Sequence, residues 1–111
     1  MENRRHPRYA IWFPVNVATG DARQVLAVAK DASQSGIAIS APSGFEEGAR
    51  VTLTFRVPPD SGDERTVDGA VVRHERNPDD PDGLWPWRIG IAFESPLPEL
   101  EDLLAKSGRP T

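Results

Sequence analysis

The sequence contains no cysteine. That excludes disulfides, thiolate metal sites and cysteine nucleophiles, and it fits a reducing compartment. No apolar run approaches the roughly 18 residues that would span a bilayer. The first 20 residues hold no uninterrupted apolar stretch of the kind a signal peptide needs. These absences predict a soluble, cytoplasmic protein with no membrane insertion. Only two histidines are present, His6 and His74, and no H-E-x-x-H, Walker loop or G-x-S-x-G occurs. Catalysis needs positioned acids, bases or nucleophiles, so an enzyme is not expected. The acidic stretch "NPDDPDG" lacks the ligand ladder of a calcium hand, and no metal or cofactor is expected.

What remains is about one domain: 111 residues, enough to bury roughly two-thirds of the unfolded surface around one modest core. The net charge of −4 is unevenly spread. Residues 1–8 carry three arginines and one glutamate, a net +2, and residues 9–111 carry ten basic and sixteen acidic residues, a net −6. An acidic body repels a polyanion such as duplex nucleic acid. A short basic arm on that body suits a small, compact anion.

Most of the chain alternates with period two. In "VTLTFRV" Val51, Leu53, Phe55 and Val57 alternate with Thr52, Thr54 and Arg56. That is a strand with one buried face. In "IWFPVNV" Ile11, Phe13, Val15 and Val17 share a side, and Pro14 predicts an edge position or a bulge. "QVLAVAK", "GIAIS", "TVDGAVVRHE" and "RIGIAFE" complete six candidate strands. Turn-rich connections such as "APSGFEEG" and "PPDSGD" separate them. The expected fold class is all-β, a small six-stranded antiparallel β-barrel or sandwich.

The end of the chain changes period. Leu100, Leu103 and Leu104 recur at helical spacing, acids fill the first turn, Lys106 lies in the last and Gly108 is a stop signal. The predicted layout is one domain over 1–106: a basic arm at 1–10, a barrel at 11–94, a helix at 97–106 and then a tail at 107–111. Trp12 falls on the outward face of its strand, open to surface packing, base stacking or a protein contact. Trp87 shares parity with Ile89, Ile91 and Phe93 and is expected in the core. Trp85 is undecided. His74 shares parity with Ala70 and Val72, which predicts a surface or rim position.

Two clusters carry chemistry. Arg4, Arg5 and Arg8 precede the first strand, and arginine is rarely buried without a partner. A charged terminus can also be simply solvated. "KDASQSGIAI" places Asp31, Ser33 and Gly36 between two strands. Asp and Ser favour tight turns by bonding nearby backbone N–H groups, and Gly permits close approach, so this could be a plain connection.

Together the two clusters say more. Arg4-x-x-x-Arg8 running into a first strand, with Asp31-x-Ser33-x-x-Gly36 ending the second, resembles the PilZ domain. "GARVTLTFRVP", "VDGAVVRHE" and "RIGIAFE", with Gly90 and Phe93, resemble its later strands in order. The resemblance covers roughly residues 3–104. It implies a barrel with a C-terminal helix that binds the bacterial second messenger cyclic di-GMP. It implies that Arg4 and Arg8 grip phosphates and base edges and that Asp31 accepts hydrogens from a guanine. Ser33 would bond base or backbone, Gly36 would allow close approach, and Arg5 would add favourable field. Asn3, where some relatives carry a further arginine, favours one ligand per domain. As a group the family implies a stand-alone receptor acting through an unidentified downstream protein, in motility, exopolysaccharide production or surface attachment. The alternative is a PilZ-fold adaptor that binds protein and not nucleotide.

Overall fold

The structure is a computed structural model and describes residues 6–58 and 64–110. Its strands are β1 (Tyr9–Thr19), β2 (Gln24–Ser33), β3 (Gly36–Ala41), β4 (Arg50–Phe55), β5 (Arg65–Arg76) and β6 (Trp87–Phe93). Helix α1 (Glu99–Ser107) follows, then a two-residue strand, β7 (Arg109–Pro110). The antiparallel order β2-β3-β6-β5-β4-β1 is closed by a β1–β2 pairing, so the sheet is a six-stranded barrel with β7 added at β1. Closure follows from the alternation. Every second residue of β1 from Tyr9 to Val17 is buried, as are Val51, Leu53 and Phe55 of β4 and Ile89, Ile91 and Phe93 of β6. These side chains meet inside the barrel, where Phe13 and Phe55 lie with ring centres 5.4 Å apart. An open sheet would leave one such row wet.

Pro14 sits where β1 changes partners. On one side β1 pairs with β7 at Tyr9 and Ala10 and with β4 from Val15 to Thr19. The missing proline N–H thus falls in the gap between the two ladders. A register shift between Ala10 and Phe13 accompanies it.

Helix α1 plugs against the barrel with Leu100 and Leu104 buried one turn apart. It starts two residues later and ends one later than the sequence pattern predicts. Gly108 ends it, its N–H bonding the Leu104 carbonyl at 2.7 Å. The glycine serves close approach: a Cβ would lie 2.9 Å from the Tyr9 Cβ. Residues 109 and 110, expected in a tail, instead pair with Tyr9 and Ala10. Two residues, one of them proline, carry no period that could announce a strand.

Two further register shifts matter. One lies between Ala29 and Asp31 in β2, the other between Val71 and Arg73 in β5. The second inserts one residue and reverses the parity of everything after it. His74 therefore stands opposite Ile89, on the core side, and stacks on Trp87 at 4.5 Å. Trp87 is only partly buried, packing against the core at the rim with Arg76 4.9 Å above its ring. Trp12 faces outward and is 62% exposed. Trp12 and Trp85 line the same shallow depression. The Trp85 backbone is held by Asn77 and Asp80.

Candidate functional site

Arg8 lies immediately before β1, and Asp31 lies near the end of β2, directly across from Ala10. The antiparallel pairing brings these distant positions together. Arg8 Nε donates to Asp31 Oδ1 at 2.7 Å, and a terminal guanidinium nitrogen contacts the same oxygen. Both side chains are partly open, 24% and 33% exposed, so the pair is neither buried nor fully screened. Asp31 Oδ2 accepts no hydrogen bond among the described residues.

Asp31 sits just before a tight turn. Ser33 pairs with Gly36, leaving Gln34 and Ser35 as the turn residues. Ser33 is 1% exposed, and its Oγ accepts the Ser35 N–H at 3.1 Å. The Ser35 carbonyl accepts from Phe93 N–H at 3.0 Å, and the Gln34 carbonyl accepts from Leu97 N–H at 2.6 Å. The turn is therefore braced by its own serine, by the residue ending β6 and by the segment leading into α1.

Beside this turn lies a cavity of about 470 Å³. Arg8 and Asp31 line one side, Ser35 and Gly36 the turn end, and Val72 and Arg73 the far side. Its floor is strand backbone carrying Ala38, Gly90 and Ala92. Small side chains there leave a flat surface on which a planar group can rest. Gly36 has a prior duty, because a Cβ there would lie 2.7 Å from the Ile91 carbonyl oxygen. Only glycine lets β3 pair so closely with β6 at this point. Gly90 stands opposite Arg73, with room for a Cβ only at 3.3 Å from that side chain.

The structure thus gathers Arg8, Asp31 and Gly36 at one cavity. Ser33 is placed beneath it, in the turn, and Ser35 brings the hydroxyl to the surface. Arg4 and Arg5 lie outside the described residues. Arg73 was not legible as a site residue. The β5 bulge turns Val72 and Arg73 to the cavity side together, and the trace of that bulge in the sequence is the doubled valine that breaks the alternation before Arg73. Among the described residues no group of three or more His, Asp and Glu is arranged to hold a metal ion. Among the described residues no helix is long and apolar enough to cross a membrane.

The PilZ domain family model matches residues 2–107. No curated protein matches the sequence significantly. Among solved structures, the Bacillus subtilis inhibitor of motility MotI/DgrA superposes with a TM-score of 0.72 at 16% identity, covering 96% of this chain and 49% of that one. The PilZ domain of Escherichia coli YcgR with c-di-GMP gives 0.67 at 14%, covering 95% and 88%. The K. pneumonia MrkH–c-di-GMP complex gives 0.68 at 18%, covering 96% and 51%. This chain therefore spans about half the length of MotI/DgrA and of MrkH.

Proposed function

The chain belongs to the PilZ domain family, and from that premise we propose that it is a receptor for cyclic di-GMP, not an enzyme, binding the nucleotide in the cavity beside Arg8 and Asp31. The observation that carries the proposal is the convergence of both motifs on that one cavity, with a second arginine, Arg73, across from them. Arg8, Arg73 and Asp31 together carry one net positive charge, the sign a nucleotide needs.

Cyclic di-GMP offers two phosphates and two guanines. The arginine fork matches phosphate oxygens bidentately and also the O6 and N7 edge of guanine. Arg8 and Arg4 take these roles, with Arg5 adding to the field. Arg8 Nε and a terminal guanidinium nitrogen both meet Oδ1 of Asp31. Oδ2 is then the acceptor for a guanine N1–H or N2–H. Ser33 holds the turn under the base, and Gly36 with Ala38 gives it a floor. Each charge-assisted hydrogen bond contributes roughly 1.5–3 kcal/mol before ordering costs, which leaves micromolar affinity. With Asn3 at the start of the arm, one ligand binds per chain. The protein works in the cytoplasm and passes the signal to a protein partner, in motility, exopolysaccharide or attachment control. Two of the similar structures are c-di-GMP complexes and a third is a motility inhibitor, which supports this placement.

Calorimetric titration tests it. Saturable heat with cyclic di-GMP is expected, absent with GTP and lost in Arg8→Ala and Asp31→Ala. Backbone amides of residues 3–9 should gain protection from hydrogen exchange on ligand addition. No heat from a folded wild-type protein would discard the ligand and leave a protein-binding adaptor.

A further inference from the structure

One carboxylate on α1 touches both halves of the proposed site. Glu101 Oε2 accepts the Tyr9 hydroxyl at 2.6 Å, and Glu101 Oε1 accepts from Gln34 Nε2 at 3.2 Å. Tyr9 is the residue after Arg8. Gln34 is the first turn residue after Ser33, three past Asp31. The two motifs lie 23 positions apart, and the helix that ties them lies 92 and 67 positions away from the residues it holds. Neither contact is needed to close the barrel, because Tyr9 already pairs through its backbone with Ala32 and with Pro110.

These contacts are part-buried. Tyr9 is 8% exposed, and its hydroxyl finds its partner in Glu101 in a part-buried bond. The hydrogen bond to Glu101, then burial, then the negative charge of Glu101 and Asp102 all raise the Tyr9 phenol above 10.0. It therefore stays a donor at neutral pH. The Gln34 carbonyl also accepts from Leu97 N–H, in the segment leading into α1. The segment 97–101 thus holds the turn by two bonds and the arginine strand by one.

We propose that Glu101 is a positioning residue for nucleotide binding, fixing Arg8 and the Asp31–Gly36 turn in one relative geometry and thereby coupling occupancy of the cavity to helix α1. This rests on the cyclic di-GMP reading of the site. When the carboxylate is removed, the β1–β2 ladder and the Arg8–Asp31 pair still join the two halves. The Arg8 segment and the turn lose the shared side-chain tie that narrows their relative positions. The competent arrangement becomes a fraction of the population, and apparent affinity falls by that fraction. The loss appears in association, because the bound contacts themselves are unchanged. Reciprocally, ligand should tighten α1, and part of that tightening should run through Glu101.

The test uses the whole chain with cyclic di-GMP, measuring affinity, association rate and hydrogen exchange of amides 101–107 with and without ligand. Glu101→Ala should bind about tenfold more weakly, mostly through slower association, and should show reduced ligand-induced protection in α1. Tyr9→Phe removes a single hydroxyl and should lose about threefold. It keeps the proposal falsifiable if Glu101→Ala fails to fold. Glu101→Gln, which retains one acceptor oxygen, should recover part of the loss. Leu103→Ala weakens α1 packing without touching Tyr9 or Gln34. It should lower the melting temperature yet keep affinity within about twofold. If Glu101→Ala and Tyr9→Phe bind as tightly and as fast as wild type, or lose no more than Leu103→Ala, the positioning role is overturned and the receptor reading stands. If wild-type protein binds no cyclic di-GMP, both fall.

Discussion

Two cavities of nearly equal size lie at opposite ends of the β1–β2 hairpin, about 470 and 420 Å³. Each is lined by two arginines. At the first, Arg8 and Arg73 face one acid, Asp31, over a floor of glycine and alanine. At the second, Arg23 and Arg50 face two acids, Asp21 and Glu46, beside Phe45. The second has no net charge. Arg23 donates to Ser43 Oγ and to the Gly44 carbonyl, both at 2.8 Å, and lies over the Phe45 ring at 4.5 Å. Volume does not separate the proposed binding site from a loop junction here. Residual charge and a floor without large side chains do.

The sharpest way to break this comparison is to remove one arginine from each end. Arg8→Ala should weaken cyclic di-GMP binding by about 100-fold, since it removes a bidentate donor and leaves Asp31 unopposed. Arg23→Ala should leave affinity within about twofold and instead loosen the 43–45 loop. Titration calorimetry reads both. Equal losses at the two ends would erase the distinction. Next comes Arg73, which no sequence pattern marks. Arg73→Ala should cost about tenfold in affinity, and Arg73→Lys should recover only part because it restores charge without the planar fork. An unchanged affinity in Arg73→Ala would confine the site to the two motifs.

Why Arg8 was legible and Arg73 was not is a matter of register. The strands followed from period two because one face of each is buried, and every slip would expose a row of valines and isoleucines. Asp31 and Gly36 stand out because their spacing, taken with Arg4 and Arg8, resembles the PilZ pattern; in the structure the turn itself is made by Gln34 and Ser35 and braced by Ser33. A bulge leaves only a doubled valine behind, and it decides which face Arg73 and His74 occupy. The sequence parity of His74 allows a surface or rim place, and the structure puts it at the rim, stacked on Trp87. β7 was invisible for a different cause. Its existence depends on where α1 delivers the chain, which is a tertiary fact. The role of Glu101 is likewise tertiary, since acids in the first turn of a helix are expected there for its dipole alone.

Glycines separate the two ends in stability. Gly36→Ala forces a Cβ to within 2.7 Å of the Ile91 carbonyl oxygen, which is backbone and cannot step aside. Strand separation should cost about 1–3 kcal/mol in denaturant unfolding. At the other cavity a Cβ on Gly20 meets nothing within 4 Å, so Gly20→Ala should stay within about 0.5 kcal/mol. A neutral Gly36→Ala would mean that β3 and β6 are less tightly paired than their register implies.

Acid and base should weaken the ends in opposite directions. Tyr9 beside the first cavity has a raised pKa, so the folded state holds that proton more tightly than the unfolded chain. Its contribution is complete below 10.0 and is lost as pH climbs through the folded value. Asp21 beside the second cavity is lowered, chiefly by the Thr19 hydroxyl and then by the Arg23 backbone N–H. Its contribution is complete above 3.8 and is lost as pH falls through the folded value. Melting temperatures of wild type against Tyr9→Phe should converge above pH 10.0, and against Asp21→Asn below pH 3.8. Constant differences across those windows would remove both groups from the linkage.

The smallest effect isolates the second cavity. Ala22, between Asp21 and Arg23 in the β1–β2 turn, has φ of 70°, a left-handed conformation that a Cβ disfavours by roughly 1–2 kcal/mol. Glycine removes that strain but adds unfolded-state entropy of about 0.4–1 kcal/mol. The difference predicts that Ala22→Gly stabilises the protein by about 0.5 kcal/mol. The turn lies at the far end of β1 and β2 from Arg8 and Asp31, so cyclic di-GMP affinity should not move. An affinity change there would show that the hairpin transmits strain along its whole length, and the two cavities would have to be treated as one system.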